Sequence, residues 1–498
     1  MRIGSARGRN AGFVAAILVV AGAAACTSIL GNPPAGTLAT DGGGGDVTTG
    51  DDGPGQEGGM DGTTGEGSAD SPTGDGPGSD VVTGGDGPHG DAGPDPIVSL
   101  TTGASACVVK QSGALWCWGN NQYGTIGDGT MMDRAVPVHI TKDSTGATLP
   151  AMAQVSAGLE HTCAVSKSNT VYCWGTDDAG ELGDGITLPI DAGSANRLAP
   201  HLVPNLQATQ VAAGYFHTCS LMGTQITCWG SNGNGELGHQ PGTLGDVPIT
   251  NAFFYNYANS TPTTNINLNG PAQLSLGGMF GCTNDTVAQD PFCWGDNYSG
   301  QLGEGAPDGG TYSWDTLPVW VSGNGSLGLQ KEIASSSFNH GCAVSGQGTL
   351  SRWGDNGAGQ LGNSLPVATG NDSVAFTVMA NGVGHVSVSV WTTCIVDVMQ
   401  HVQCWGANQG GVLGHDPATD PLSSCPGSSS PCNPNPSTIT LNGSPFGPVE
   451  NISVGVASAC AIKTDGTLWC WGQSGQLGTG AGDDAGMIYE PAQVSGLP

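Results

Sequence analysis

Apolar and polar positions alternate at period two over short stretches from residue 97 onward, and glycine breaks the pattern every few residues. Cys163 to Trp174, CAVSKSNTVYCW, shows the unit. Val165 lies two residues inside Cys163, Val171 two residues inside Cys173, and polar Ser166 to Thr170 fill the middle. Such alternation about a short polar turn predicts a β-hairpin. In that register the two cysteines face each other across the strands. Trp174 projects to the other face, where a large ring can bury. The glycines that follow permit tight turns.

The unit recurs. Trp-Gly stands at Trp118, Trp174, Trp229, Trp294, Trp353, Trp405 and Trp471, at intervals of 52 to 66 residues. Five copies carry G-[TEQ]-[IL]-G six residues on, at Gly124 to Gly127, Gly180 to Gly183, Gly235 to Gly238, Gly300 to Gly303 and Gly359 to Gly362. The sixth reads Gly411 to Gly414, with Val412 second, and the seventh, Gly475 to Gly478, comes two residues early. A Pro-x-x-[VI] element closes several units, as at Pro137 to Ile140 and Pro491 to Val494. Three or four short strands per 50-odd residues predict propeller blades. The expected fold is all-β: a seven-bladed β-propeller over 97–498, with repeats near 97–150, 151–207, 208–271, 272–330, 331–383, 384–449 and 450–498.

The first 96 residues read differently. Arg2, Arg7 and Arg9 precede an apolar run over 11–25, too short to span a bilayer comfortably and suited to a signal peptide over 1–25. Ala23-Ala24-Ala25-Cys26 resembles a bacterial lipobox, with Ala23 where leucine is usual. Two readings of this junction stand: Cys26 is the lipidated first residue of the mature chain, or an A-x-A site is cut beside a bystander cysteine. Residues 26–96 are rich in Gly, Asp, Thr and Pro, and no Lys or Arg occurs between Arg9 and Lys110. Such a stretch has little to bury and repels itself, so a disordered acidic tether is expected. Its Asp residues show no calcium-loop spacing. The expected localisation is that of an exported lipoprotein at the outer membrane or cell surface, on the periplasmic or extracellular face. The lipid anchor is then the one link to a membrane.

The chain carries 11 Lys plus Arg against 41 Asp plus Glu, a formal charge of -30. That opposes nucleic acid and anionic lipid as partners. The 16 cysteines include pairs spaced 9 to 11 residues apart and none at zinc-ribbon spacing, which suits an oxidising compartment.

The pattern G-x-x-H-T-C-A-[LV], then G-x-[LV]-x-C-W-G-x-N-x-x-G-Q-L-G, resembles the repeat of the regulator-of-chromosome-condensation family. The resemblance covers about residues 97 to 498 and implies a seven-bladed β-propeller. The family's nuclear member exchanges nucleotide on a small GTPase and binds chromatin. The signal segment and the charge of -30 make both roles foreign to this chain. A secreted bacterial member inhibits β-lactamase.

Register pairs Cys107 with Cys117, Cys163 with Cys173, Cys219 with Cys228, Cys282 with Cys293, Cys394 with Cys404, and Cys460 with Cys470. Cys425 and Cys432 are expected to close a small loop. In the fifth repeat Cys342 faces Arg352, so Cys342 is expected to stay a thiol. His161, His217 and His340 precede Cys163, Cys219 and Cys342 by two residues, on three different blades. They are expected to be structural rather than metal ligands. No nucleophile elbow, H-E-x-x-H or phosphate loop occurs. Asp128, Glu181, Asp184, Glu236, Asp296 and Asp355 are scattered in turns and expected to be solvated loop charges. No cofactor and no metal is expected. Aromatic residues on loops, Phe253, Phe254, Tyr255 and Tyr257, then Tyr312, Trp314 and Trp320, are the candidate binding residues. The expected function is an envelope-tethered module binding a protein or glycan, without catalysis. Two alternatives are carried: an extracellular propeller hydrolase acting on glycans or peptides, and a protein inhibitor of an extracellular enzyme.

Overall fold

The computed structural model describes residues 95–498 except 187–195, 250–256, 306–313, 323–326, 364–371, 380–381, 426–429 and 482–485, together with the two-residue strand Ser28–Ile29. The signal segment, Cys26, almost all of the expected tether, and Phe253, Phe254, Tyr255 and Tyr312 lie outside the described residues. Seven antiparallel sheets follow one another along the chain. The second is typical, with strands Met152–Ala157, His161–Ser166, Thr170–Gly175 and Arg197–Gln207. Each sheet is one blade made by one repeat, and the whole is a seven-bladed β-propeller. Ser28–Ile29 pairs beside Ser99 and Leu100 at the inner edge of the first blade.

The sequence pattern explains each layer of a blade. The first strand is almost wholly buried and lies innermost, while the fourth alternates exposed and half-buried positions. An innermost strand has one edge without a ladder partner, and its N–H groups need acceptors. The preceding blade supplies them from Ser, Thr and Gln side chains. Ala157 N donates to Thr101 Oγ1 at 3.2 Å, Ala213 N to Ser156 Oγ at 3.0 Å, and Ser335 N to Ser275 Oγ at 2.9 Å. Val454 N donates to Ser387 Oγ and Thr102 N to Ser453 Oγ, both at 3.0 Å. The last contact joins the seventh blade to the first, so the series is circular.

A second circular series runs through the seven Trp-Gly tryptophans, all of them buried. Trp174 donates its indole N–H to Thr125 O at 2.8 Å, Trp229 to Glu181 O at 2.7 Å, and Trp294 to Glu236 O at 3.0 Å. Trp353, Trp405 and Trp471 do the same to Gln301 O, Gln360 O and Val412 O, each at 2.8 Å. Trp118 reaches Gln476 O of the seventh blade at 3.1 Å. Every acceptor is the second residue of the G-x-[IL]-G turn in the preceding blade. The last glycine of that turn lies against the ring. A Cβ on Gly127 would stand 2.7 Å from Trp174 Nε1, and φ there is +82°. The motif is therefore a socket for the next blade's tryptophan.

No blade is assembled from both ends of the described chain, so closure rests on side chains and packing. Ile97, Leu100 and Trp118 share one apolar cluster with Ile462, Leu477 and Val494. Seven disulfides tie the structure, and six of them join the second and third strands of one blade: Cys107–Cys117, Cys163–Cys173, Cys219–Cys228, Cys282–Cys293, Cys394–Cys404 and Cys460–Cys470. Cys425–Cys432 closes a loop of the sixth blade. In the fifth blade Cys342 stands directly opposite Arg352, buried and outside any disulfide.

Candidate functional site

Because the strands alternate in direction, the first hairpin turn of each blade and the long connection from its third to its fourth strand emerge on one face of the ring. The turns between second and third strands emerge on the other. The first face carries the loops that vary most among repeats. The residues between the first two strands are Ala104, Leu159-Glu160, Tyr215-Phe216, Gly278-Met279, Ser337-Phe338-Asn339, Val390-Trp391 and Val456-Ala457. They surround the mouth of the central channel.

Four of these residues form an aromatic arc. Tyr215 lies edge-on to Phe216 at 5.9 Å and to Phe338 at 6.5 Å, and Phe338 packs on Trp391 at 5.1 Å. The arc runs from the third blade to the sixth. It passes over the fourth blade because that blade offers Gly278, where a Cβ would stand 2.3 Å from Ser337 O and 3.4 Å from the Tyr215 ring. The Tyr215 side chain is hydrogen-bonded to Ser337, and burial raises its pKa further above the ordinary tyrosine range. All four rings are half-buried, so each keeps a solvent-facing edge. The second blade, beside the arc, places Glu160 on the same face. Burial raises the Glu160 carboxyl above its ordinary value, and Tyr123, hydrogen-bonded to Glu160, is pushed up to about 12 by burial and by that carboxyl.

The candidate aromatic residues from sequence lie elsewhere. Trp314 and Trp320 stand at opposite ends of the outer strand Trp314–Trp320 of the fourth blade and are 48% and 63% exposed. Trp320 packs edge-on to Phe292 at 6.0 Å. Tyr257 opens the outer strand of the third blade, half-buried, with its ring over Gly242. The structure does not bring these residues together with the arc. The arc residues were missed because each repeat fills its short loop differently, and variable positions look unremarkable beside the motif that frames them. Their signal is that Tyr215-Phe216 sits directly before His217 and that Phe338 falls at the matching place before His340.

The turn carboxylates require a correction. Glu181 and Glu236 are buried, not solvated, as is Asp177 in the same turn as Glu181. Glu181 Oε2 and Glu236 Oε2 fold back to accept the N–H of Ala179 at 2.8 Å and Asn234 at 2.6 Å. Gln301 and Gln360 make the same bond to Ser299 and Ala358 and pass an amide hydrogen to Asp296 and Asp355. These side chains hold the shape of the tryptophan socket. Burial pushes Asp177 up to about 8, with the nearby Asp184 carboxylate adding to it, and pushes Glu236 up to about 7.

The histidines belong to the same relay. His161 Nε2 meets Thr218 Oγ1 at 2.8 Å, and Thr218 Oγ1 donates to Glu181 O at 2.9 Å. Since the hydroxyl hydrogen is spent on the carbonyl, the imidazole is the donor, protonated at Nε2. His340 repeats this with Thr393 and Gln360 O. His217 finds Gly281 where its neighbours have threonine, and both its ring nitrogens lack a hydrogen-bond partner. Burial holds all three near a pKa of about 3, hence neutral. Among the described residues no group of three or more His, Cys, Asp or Glu is arranged to hold a metal ion.

Comparison with known proteins bears on this architecture. The model of the regulator of chromosome condensation (RCC1) repeat matches residues 112–165 and 168–221, and a second model of the repeat matches 152–181, 208–236 and 449–476. The chain is 34% identical over 138 residues to the ultraviolet-B receptor UVR8 of Arabidopsis thaliana, covering 26% of this chain and 28% of the receptor. It is 28% identical over 218 residues to the probable E3 ubiquitin-protein ligase HERC6 of Homo sapiens, covering 42% of this chain and 19% of the ligase. The matches thus span less than a third of either relative. Among solved structures, yeast RCC1 (Prp20), crystallised bound to Kap60, superposes with a TM-score of 0.60 at 18% identity, covering 81% of this chain and 84% of that one. Human WBSCR16 gives 0.59 at 20% identity, covering 77% and 94%.

Proposed function

Because this chain carries regulator of chromosome condensation (RCC1) repeats closed into a seven-bladed propeller, we propose that it is an interaction module that docks a protein on the face carrying its first hairpin turns. It has no catalytic role of its own. The observation that carries this reading is the arc of Tyr215, Phe216, Phe338 and Trp391 at the channel mouth. The blade core does not need these side chains, since other repeats fill the same loops with Ala, Gly, Leu or Val. Large rings with a solvent-facing edge, grouped at the centre of a face, are the usual anchors of a protein interface. The solved propellers offer a parallel in kind. One was crystallised with Kap60, and Prp20p of Saccharomyces cerevisiae has been studied for its binding to Gsp1p and histones.

The remaining elements of the reading come from sequence: a signal peptide, a lipidated Cys26, and an acidic tether that holds the propeller off an outer-membrane or cell surface. An envelope protein is the partner in this setting, and neither nucleic acid nor a small GTPase is. The buried carboxylates that a hydrolase reading needs are spent on the tryptophan sockets, which supports binding over catalysis.

The test compares partner capture from envelope and medium by the full chain and by variants. Truncating a true anchor costs about 2 kcal/mol or more, near 30-fold in affinity. Phe338→Ser and Trp391→Ser should each weaken capture by that order, with thermal melting still cooperative. Trp320→Ser should leave capture unchanged. Equal capture by all variants would remove the arc from the interface.

A further inference from the structure

The fifth blade buries a positive charge in an apolar seat. In six blades the second and third strands are joined by a disulfide, whereas here Cys342 stands opposite Arg352. Arg352 is 0% exposed, and Nε, Nη1 and Nη2 all lack a hydrogen-bond partner. Its guanidinium lies over the Trp405 ring at 4.6 Å from the centroid. Cys342 and Trp405 share an apolar cluster with Val344, Leu350, Val386 and Ile395.

Magnitudes decide what this arrangement requires. Burying an unpaired ion costs more, even after relaxation, than a desolvated cation–π contact returns. Trp405 alone therefore does not offset the burial. Loss of the proton is no escape, since burial lowers the Arg352 pKa only to about 10. Among the described side chains, the charged groups on the packed elements are engaged elsewhere. Glu332 accepts from Val386 N and pairs with His385, Asp355 accepts from Gln360 Nε2, and Asp397 holds its own turn. His340, two residues before Cys342, is neutral, in part because of the Arg352 charge. The one remaining acidic proton within the seat is on the Cys342 thiol.

We infer that Cys342 is a buried thiolate paired with the Arg352 guanidinium, an ionic clasp standing where the other blades have a covalent one. Its proton goes to solvent as the blade folds. The clasp sets Cys342 apart in a chain whose remaining propeller cysteines are disulfides.

Thiolate absorbs near 240 nm and thiol does not, so the test is a pH titration of the full chain read as wild type minus Cys342→Ala, which cancels any signal from Cys26. One thiolate per chain should be present at pH 7 and persist below pH 6. An ordinary thiol titrates near pH 8.5. In Arg352→Met the signal should appear only above that value. If Cys342→Ala does not fold, wild type minus Arg352→Met gives the same reading, since methionine adds no titrating group. Stability supplies a second measurement. Cys342→Ala leaves the guanidinium unpaired, so the double variant Cys342→Ala, Arg352→Met should fold more stably than Cys342→Ala alone. A difference spectrum flat up to pH 8 would overturn the clasp, as would a double variant weaker than Cys342→Ala.

Discussion

Asp177 shows how one atom changes a repeat. At the matching place five of the other blades carry Asn121, Asn232, Asn297, Asn356 and Asn408, each accepting a turn N–H through Oδ1 and donating through Nδ2. Asn232 Nδ2, for instance, donates to Asp246 Oδ2 at 2.7 Å. Asp177 keeps the acceptor half, taking Leu182 N at 3.0 Å, but its Oδ2 lacks a hydrogen-bond partner. Its folded-state pKa is about 8, and that of Glu236 about 7, while both ionise near 4 when unfolded. The folded chain holds protons that the unfolded chain releases, so their stabilising contribution is full below pH 4 and is lost as pH rises toward 8. The neutral histidines act oppositely, but only below about pH 6.5, their unfolded value. Between pH 6.5 and 8.5 these carboxyls therefore lower the melting temperature, whereas a Cys342 thiolate, whose unfolded thiol titrates near pH 8.5, acts the other way, so the effect is read as wild type against Asp177→Asn. Asp177→Asn should gain in melting temperature relative to wild type across that interval and be more stable at pH 8 by about 1–3 kcal/mol, the cost of a buried polar group left unsatisfied. Calorimetry of both chains at the two pH values checks this; a wild type that gains on Asp177→Asn over that interval would refute the sign.

Arg352→Cys is the complementary change. It places a cysteine opposite Cys342 in the register that other blades use for a bridge, at 4.1 Å between Cα atoms in Cys394–Cys404. A loop of about ten residues closed in this way contributes roughly 2–3 kcal/mol. The variant should show no titratable thiol in the propeller and a higher melting temperature. A persistent thiol in the denatured, unreduced protein would show that the strands do not meet.

At the scale of elements, the turn G-x-[IL]-G and the tryptophan it receives are one device split between two blades. Gly127 must be glycine for two reasons, its positive φ and the indole against its Cα hydrogens. A non-glycine residue in that backbone region costs about 1–3 kcal/mol before any clash is counted. Gly127→Ala should exceed that range, whereas Gly129→Ala, with φ +83° but open space around it, should stay within it. Chemical denaturation of the two variants separates strain from contact. The blades and their hairpins were legible in the sequence because period two and the Cys-Trp-Gly motif are local. The socket was not, since its two halves lie 49 residues apart in the case of Trp174 and Thr125. The burial of Glu181 and Glu236 was hidden for the same reason: a glutamate in a Gly-rich turn reads as exposed until the neighbouring blade covers it.

For the whole molecule, closure depends on contacts between the first and seventh blades that repeat those between any other pair. Trp118→Phe removes the indole donor at that seam, and Trp174→Phe removes one inside the ring. A buried carbonyl deprived of its donor costs about 1–3 kcal/mol, and a closed ring should charge both variants alike. An open array would leave Trp118→Phe nearly silent. The docking face was only partly legible. That loops would bind was readable from their aromatic content, but which loops share a face follows from strand direction around the ring, and the arc needs Gly278 of an intervening blade to let Tyr215 meet Phe338.

The claim that a protein docks on this face is tested most directly by hydrogen exchange on the full chain with and without its captured partner. The account predicts slowed exchange at residues 214–217, 336–340 and 389–392, the turns that carry the aromatic arc, and none at 167–169, 346–349 and 398–401 on the opposite face. Protection confined to the second set, with the first unchanged, would contradict it.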